Sequence, residues 1–386
     1  MTDGDSPGWI PDLRARAKSA RRTRLALAAV TLALLAYGVV MVYSSSAVIS
    51  YQTYGWTGHF LLRQLLAILV GLGLALGVMT VEYGQLRRLA KPMLLGCLVL
   101  LLVLQIPGVA TEAGGARRWL RLGPFGVQPA ELAGFAVIFY LADVLSRKAA
   151  NLETPLRRFG PALAVLCIFL ILVVSQPDLG TAVALGAVGF ILFYLEGMPL
   201  KILIRIFAIG LLLVVLMIVV EPYRMNRIRA FWDPWADPRG TGYQIIQSYI
   251  ALASGGLLGT GLGQGNQKLF YLPAGHTDFI FSIAGEELGL WGTGILLLLF
   301  VSFVILAGRI ALKATDPFGR LLAAGLVSWI SIRALINVAA CVGAMPTKGL
   351  PFPFFSYGGS SLMLNLVSVG LLLNVARQWQ YEFPPD

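Results

Sequence analysis

The segment Gly255–Gly289 reads GGLLGTGLGQGNQKLFYLPAGHTDFIFSIAGEELG, and it gathers a Lys, a His, an Asp and two Glu among glycines. The rest of the chain is oily: hydrophobic residues make up 57% and charged ones 13%. Ionisable groups kept beside a membrane usually serve something other than packing. The focus is Asp278, within His276-Thr277-Asp278-Phe279. An Asp at its ordinary pKa of about 3.9 is a feeble base. Desolvation beside Phe279 and Phe281 would raise that value, and nearby cations would lower it. Two roles stand open, a general base and a plain cap on the helix that follows.

Other polar motifs share this character. Gly114–Leu120 (GGARRWL) offers the cations Arg117 and Arg118. Gln128-Pro129-Ala130-Glu131 and Gln176-Pro177-Asp178 each set a Pro and an acid where an apolar run begins. Pro fits the first turn of a helix, and an acid there meets the positive end of the dipole. Each motif reads as a well-capped helix entry or as the polar rim of a cavity. The stretch 346–361 (PTKGLPFPFFSYGGSS) has three prolines and a Gly pair, so it cannot form a continuous helix. Broken backbone at membrane depth is tolerated only against protein or a watery cavity. This predicts a re-entrant or cavity-lining loop with Lys348 projecting into it, the alternative being a lysine that snorkels to the interface.

The glycine run Gly259-Thr260-Gly261-Leu262-Gly263-Gln264-Gly265 superficially resembles a phosphate cradle. No strand precedes it and no G-K-[ST] ending follows, so a nucleotide site is not expected. Glycines near an interface more simply allow close backbone approach. The segment 242–254 (GYQIIQSYIALAS) is amphipathic, with Gln244, Gln247 and Ser248 on one face, and predicts a short interfacial helix.

The elements that must position these groups are transmembrane helices. A mean hydropathy of +0.77 over 386 residues excludes an ordinary soluble protein. Ten apolar runs are expected to span, at 25–47, 65–82, 92–106, 128–146, 160–175, 179–196, 202–220, 279–307, 319–341 and 361–377. The fold class is thus an all-α integral membrane protein, with a long loop (221–278) between helices 7 and 8. The first run lacks an A-x-A-like cleavage site and is expected to remain as a helix. A basic arm (1–24) precedes the membrane domain (25–378), and a short tail (379–386) follows it.

With a cytoplasmic N-terminus, 19 of the 30 Lys and Arg fall on inner segments, ten on outer ones and Arg333 within a span. The positive-inside rule then places both termini in the cytoplasm and the long loop outside. The net charge of +11 is mostly this bias plus attraction to anionic lipid, and no continuous basic stripe argues for nucleic acid. Cys97, Cys167 and Cys341 lie in apolar runs, which disfavours disulfides, and two histidines are too few for a His-rich metal site. An outward-facing centre has no nucleotide sugar to draw on, so a bond-forming reaction there must take its energy from its substrate. Lipid-linked pyrophosphate sugars are such substrates. They need an apolar groove, cations (Arg117, Arg118, Lys348) and a base (Asp278).

The chain resembles the SEDS family (shape, elongation, division and sporulation) along nearly its whole length. The motifs that carry the likeness are VYSSS at 42–46, GARRW at 115–119, QPAEL at 128–132, QPDLGT at 176–181 and GYQIIQS at 242–248. They continue with LPAGHTDFIF at 272–281, EELG at 286–289 and PFFSYGGSS at 353–361. The resemblance implies a peptidoglycan glycosyltransferase that polymerises lipid II in the bacterial inner membrane beside a class B penicillin-binding protein. Asp278 would be its catalytic residue. Arg117, Arg118, Trp119, Glu131, Lys268, His276, Lys348 and Ser356 would contact substrate, and a divalent cation (Mg or Mn) would help, with Asp278 as its possible ligand. QKLFYLP at 267–273 and PTKG at 346–349 look like the FtsW branch, which implies other divisome proteins as partners and a septal location. A RodA-like elongation polymerase, a lipid II flippase and a scaffold are the alternatives. One departure stands out: family members often read QPSELxK where this chain has Ala130 and Gly134, so the lysine's role would pass to another residue.

Overall fold

A computed structural model describes residues 10–106, 111–113, 116–122, 125–147 and 155–378, with the side chains of 10–17, 111–118, 121–122, 125, 156 and 378 left aside. The helices are α1 (Ile10–Tyr54), α2 (His59–Thr80), α3 (Tyr83–Leu86), α4 (Ala90–Val103), α5 (Pro129–Ser146), α6 (Pro155–Ser175) and α7 (Leu179–Leu195). They continue with α8 (Leu200–Val220), α9 (Pro222–Trp232), α10 (Tyr243–Gly255), α11 (Ile280–Lys313), α12 (Pro317–Cys341) and α13 (Gly359–Gln378). Each of the ten expected spans coincides with a helix, and eight of these are long and apolar enough to cross a membrane. The two shorter ones are α4 and α7, of 14 and 17 residues. The chain is a multi-pass membrane protein.

Local chemistry sets many of the helix ends. Pro129, Pro222 and Pro317 occupy first-turn positions, where a missing N–H costs nothing. Asp178 and Asp316 cap α7 and α12 by accepting from the N–H of Thr181 and Gly319. The first helix begins at Ile10, so the basic arm is helical over much of its length.

Two features lay beyond the sequence pattern. Residues 111–127 form a three-stranded antiparallel ribbon, β1 (Thr111–Ala113), β2 (Ala116–Leu122) and β3 (Phe125–Val127), an addition to the all-α expectation. Glu112 pairs with Arg117 across one turn and Leu120 with Val127 across the next. The other feature is a break in α11 at Gly289, whose φ of 64° and ψ of −162° are not helical.

Small residues let the helices meet. A Cβ on Gly370 of α13 would stand 2.7 Å from the Ala75 carbonyl oxygen of α2. This is the close backbone approach that association in lipid relies on. The amphipathic segment is helix α10, but it docks on protein: Ser248 is buried, bonds Ser282 of α11 at 2.6 Å and donates to the Cys341 carbonyl of α12 at 2.7 Å. The proline-rich stretch is irregular, as expected, and is plugged into the bundle. Phe352 and Phe354 meet Phe300 and Phe303 of α11, each with ring centroids 5.1 Å apart.

Candidate active site

Asp278 ends a tight turn. The N–H groups of Thr277, Asp278 and Phe279 all converge on the Ala274 carbonyl, at 3.1, 3.1 and 3.2 Å. Phe279, not Asp278, occupies the N-cap of α11, and no side chain caps that helix. The proline-rich loop lies alongside: a Cβ on Gly349 would stand 3.4 Å from Asp278 Oδ2. Four hydrogen bonds fasten the two segments, two of them through Asn337. Ser356 Oγ donates to the Thr277 carbonyl at 2.6 Å, Tyr357 N–H donates to the His276 carbonyl at 3.1 Å, and Asn337 Nδ2 of α12 bridges them. Asn337 donates to the carbonyls of Asp278 and Leu350, both at 2.8 Å.

Lys348, one residue before Gly349, packs beside α7, with its Cβ 3.6 Å from where a Gly180 side chain would begin. Burial, with the charges of Arg227 and Arg224 beside it and Asp178 opposing them, pushes its ammonium down to about 8. Both arginines come from α9, and Arg227 also donates to the Thr347 carbonyl at 2.7 Å. Three cations thus gather beside one carboxylate. The two Gln-Pro-acid motifs meet here, because Gln128 Nε2 donates to Asp178 Oδ2 at 2.9 Å while Asp178 caps α7. Asp178 fulfils the helix-cap reading of its motif and also accepts from Gln128.

Other expected contact residues sit elsewhere. Glu131 is buried in an ion pair with Arg333 of α12 and accepts from Ser360 Oγ at 3.0 Å. The Arg333 guanidinium also lies 5.3 Å from the Trp329 ring centroid. Trp329 occupies the space beside Gly134, where an added Cβ would be 2.7 Å from its ring. The QPAEL motif's acid, Glu131, is thus paired with a cation from α12. Lys268 is buried against Glu287 at 2.6 Å and reaches Ser44 of α1 at 3.2 Å, so its charge is matched inside the protein. Ser356 spends its hydroxyl on the Thr277 carbonyl and accepts from Phe352 N–H at 2.8 Å. His276 is driven down to about 4 by burial, hence neutral at pH 7, and its ring lies 4.9 Å from Phe60. Trp119 is half-buried on β2 and covers Gly126 of β3. Arg117 and Arg118 lie on the backbone of β2, and their side chains are outside the described residues.

Sequence reasoning missed Arg224, Arg227 and Asn337. The signals were present: two arginines three apart on one helical face, and a lone Asn one turn beyond Arg333 in an apolar helix. Among the described residues no three His, Cys, Asp or Glu side chains gather into a cluster that could hold a metal ion by themselves.

The comparisons with known proteins agree with this layout. The family model described as cell cycle protein FTSW_RODA_SPOVE matches residues 24–381. A Geobacter metallireducens protein named "Probable peptidoglycan glycosyltransferase FtsW" is 42% identical over 361 residues, covering 94% of this chain and 96% of its own. Stage V sporulation protein E of Bacillus subtilis is 41% identical over 357 residues, 92% of this chain and 98% of its own. Among solved structures, a chain described under structural coordination of polymerization and crosslinking by a peptidoglycan synthase complex superposes with a TM-score of 0.75. It shares 31% identity, over 92% of this chain and 98% of that one. Thermus thermophilus rod shape determining protein RodA gives 0.67 at 28% identity, over 91% and 96%. With its motifs, its helices and its relatives in agreement, the chain belongs to the SEDS family of FtsW, RodA and SpoVE proteins.

Proposed function

We propose that this chain is a peptidoglycan glycosyltransferase that polymerises lipid II at the outer face of the cytoplasmic membrane, in the manner of its FtsW-named relatives. The observation that carries the reading is the placement of Gly349 against Asp278 Oδ2, which brings a carboxylate beside the loop that holds Lys348. Lys348, Arg224 and Arg227 receive the pyrophosphate. Asp278 takes the proton from the 4-hydroxyl of an incoming GlcNAc as that oxygen bonds to the MurNAc anomeric carbon. The bond from that carbon to the pyrophosphate breaks, and undecaprenyl pyrophosphate leaves with its electron pair and with inversion. The cations are worth most here, because charge develops on the leaving group in a partly buried site. Arg117 and Arg118 belong to this outer face and are assigned to the same substrate.

A lipid II flippase would need a polar path, whereas Arg333 and Asp143 within the spans are both held in ion pairs. Arg333 pairs with Glu131, and Asp143 with Arg87 and Arg147. Both termini are assigned to the cytoplasm, the loop 221–278 to the outside and the protein to the division septum. A class B penicillin-binding protein is the assigned partner, a reading supported by likeness to a chain of a peptidoglycan synthase complex. The test is polymerisation of labelled lipid II by purified protein with and without that partner. Asp278→Asn keeps the side chain's size and removes the base, so a folded variant should lose about 10²–10⁴ in rate. Wild-type polymerisation by that variant would sink the assignment.

A further inference from the structure

An aromatic cluster borders the Asp278 segment through His276 and Tyr357, and the mechanism does not use it. The cluster is built on the turn between α1 and α2. The Tyr54 ring stacks on His59 with centroids 3.6 Å apart and an interplanar angle of 11°. His59 meets Phe60 edge-on at 5.6 Å, and Phe60 meets both His276 at 4.9 Å and Tyr357 at 5.1 Å. Tyr357 N–H and Ser356 Oγ bond the carbonyls of His276 and Thr277, so the rings are tied to the backbone that carries Asp278. The cations are contributed by α9 and the start of the proline-rich loop, and no residue serves both sets.

The turn is fixed. Ser50 Oγ donates to the Trp56 carbonyl at 2.6 Å and accepts from His59 N–H at 3.1 Å. Trp56 folds over Gly58, where any side chain would strike its indole. Yet the outer surface of the cluster is open, with Tyr54 50% and Trp56 52% exposed. Two imidazole nitrogens in it, His59 Nε2 and His276 Nδ1, are buried and have no partner among the described residues. Buried polar atoms are usually satisfied, so each such exception calls for an explanation. Arg63, half-buried, hydrogen-bonds the Tyr357 phenol and adds a positive charge at the rim.

Resting on the glycosyltransferase reading, we infer that this cluster is a subsite for the sugar units of the glycan strand, an amino-sugar chain bearing anionic stem peptides. Tyr54 and Tyr357 receive the sugar faces, and Arg63 receives a stem carboxylate. Pyranose faces are rich in polarised C–H groups, which suit the negative face of an aromatic ring. The electronegative rim of a sugar offers hydroxyls to unpaired nitrogens. Continuity with the Asp278 backbone places these units within reach of the reacting sugar, so a strand held here would be presented for the next addition rather than released.

The test uses the full chain in phospholipid nanodiscs, titrated with a soluble tetrasaccharide of alternating GlcNAc and MurNAc that carries stem peptides and no lipid. Wild type should bind it, and Tyr54→Phe should bind within about twofold. Tyr54→Ala should weaken binding about three- to tenfold. Removing the stem peptides should weaken binding to wild type but not to Arg63→Gln. Trp291→Ala, an exposed aromatic outside the cluster, should leave binding unchanged. No binding by wild type, or equal binding by Tyr54→Ala, would overturn the subsite. An equal loss in Trp291→Ala would also overturn it, by marking these rings as a membrane-interface belt. Lipid II polymerisation by the same wild-type preparation is read separately, so failure of the enzyme reading is distinguishable from failure of the subsite.

Discussion

Asn337 holds Asp278 by its backbone: one side-chain amide donates to the carbonyls of Asp278 and Leu350, both at 2.8 Å. The register between the carboxylate and the Lys348 loop therefore depends on a residue that touches no substrate. Asn337→Leu should remove both bonds, leaving the Leu350 carbonyl without this donor and the Asp278 carbonyl with only the weak Cys341 thiol at 3.6 Å, costing about 1–3 kcal/mol for an unsatisfied group. We expect a lower thermal midpoint and at least a tenfold drop in lipid II polymerisation. Full activity in the Leu variant would show that the loop keeps its register by other means.

The ionisation of Lys348 predicts a pH profile. Its ammonium loses its proton near pH 8 instead of the usual 10.5. As pH rises through 8 the free enzyme loses the cation, so kcat/KM should fall while kcat, measured with pyrophosphate bound, changes less. Stability should move the opposite way. Between pH about 8 and 10.5 the unfolded chain holds a proton that the folded chain has released, so stability rises with pH there. Lys348→Arg keeps the charge and should erase the fall in kcat/KM. Persistence of that limb in the Arg variant would assign it to another group.

Lys268 and Glu287 form a buried pair. Lys268→Met alone strands the glutamate, which typically costs about 3–5 kcal/mol. The double variant Lys268→Met/Glu287→Gln should recover much of that loss in thermal melts. If Lys268 instead contacts substrate, the single variant would melt like wild type and show only a raised KM for lipid II.

Topology has a direct check. Arg239 is exposed in the loop 221–278. In a variant lacking Cys97, Cys167 and Cys341, Arg239→Cys should react with an impermeant thiol reagent in intact spheroplasts. Reaction only after lysis would place the loop, and Asp278 with it, in the cytoplasm.

Sequence pattern located ten helices because each is an apolar run, eight of them of membrane length, a signal carried by residues adjacent in the chain. It located the irregular loop as well, since Pro346, Pro351 and Pro353 cannot continue a helix. It could not see the three-stranded ribbon, whose strands are of only three to seven residues. Nor could it separate Lys348 from Lys268. Both are lone lysines in conserved-looking polar motifs of an oily chain, and only the fold shows that one faces Glu287 while the other is crowded by two arginines. Glu131 illustrates the same limit, because its partner Arg333 lies 202 positions away.

The glycine run that superficially resembles a phosphate cradle does hold anions, and they are the protein's own. Gly263 N–H donates to Glu287 at 3.0 Å and Asn266 N–H to Glu286 at 2.7 Å, while Thr260 and Gly261 N–H reach the carbonyls of the same two residues. During synthesis these donors leave the ribosome before their acceptors, which belong to α11. The loop has nothing to close upon until that later helix has been inserted. Its ordering is thus tied to the insertion of α11.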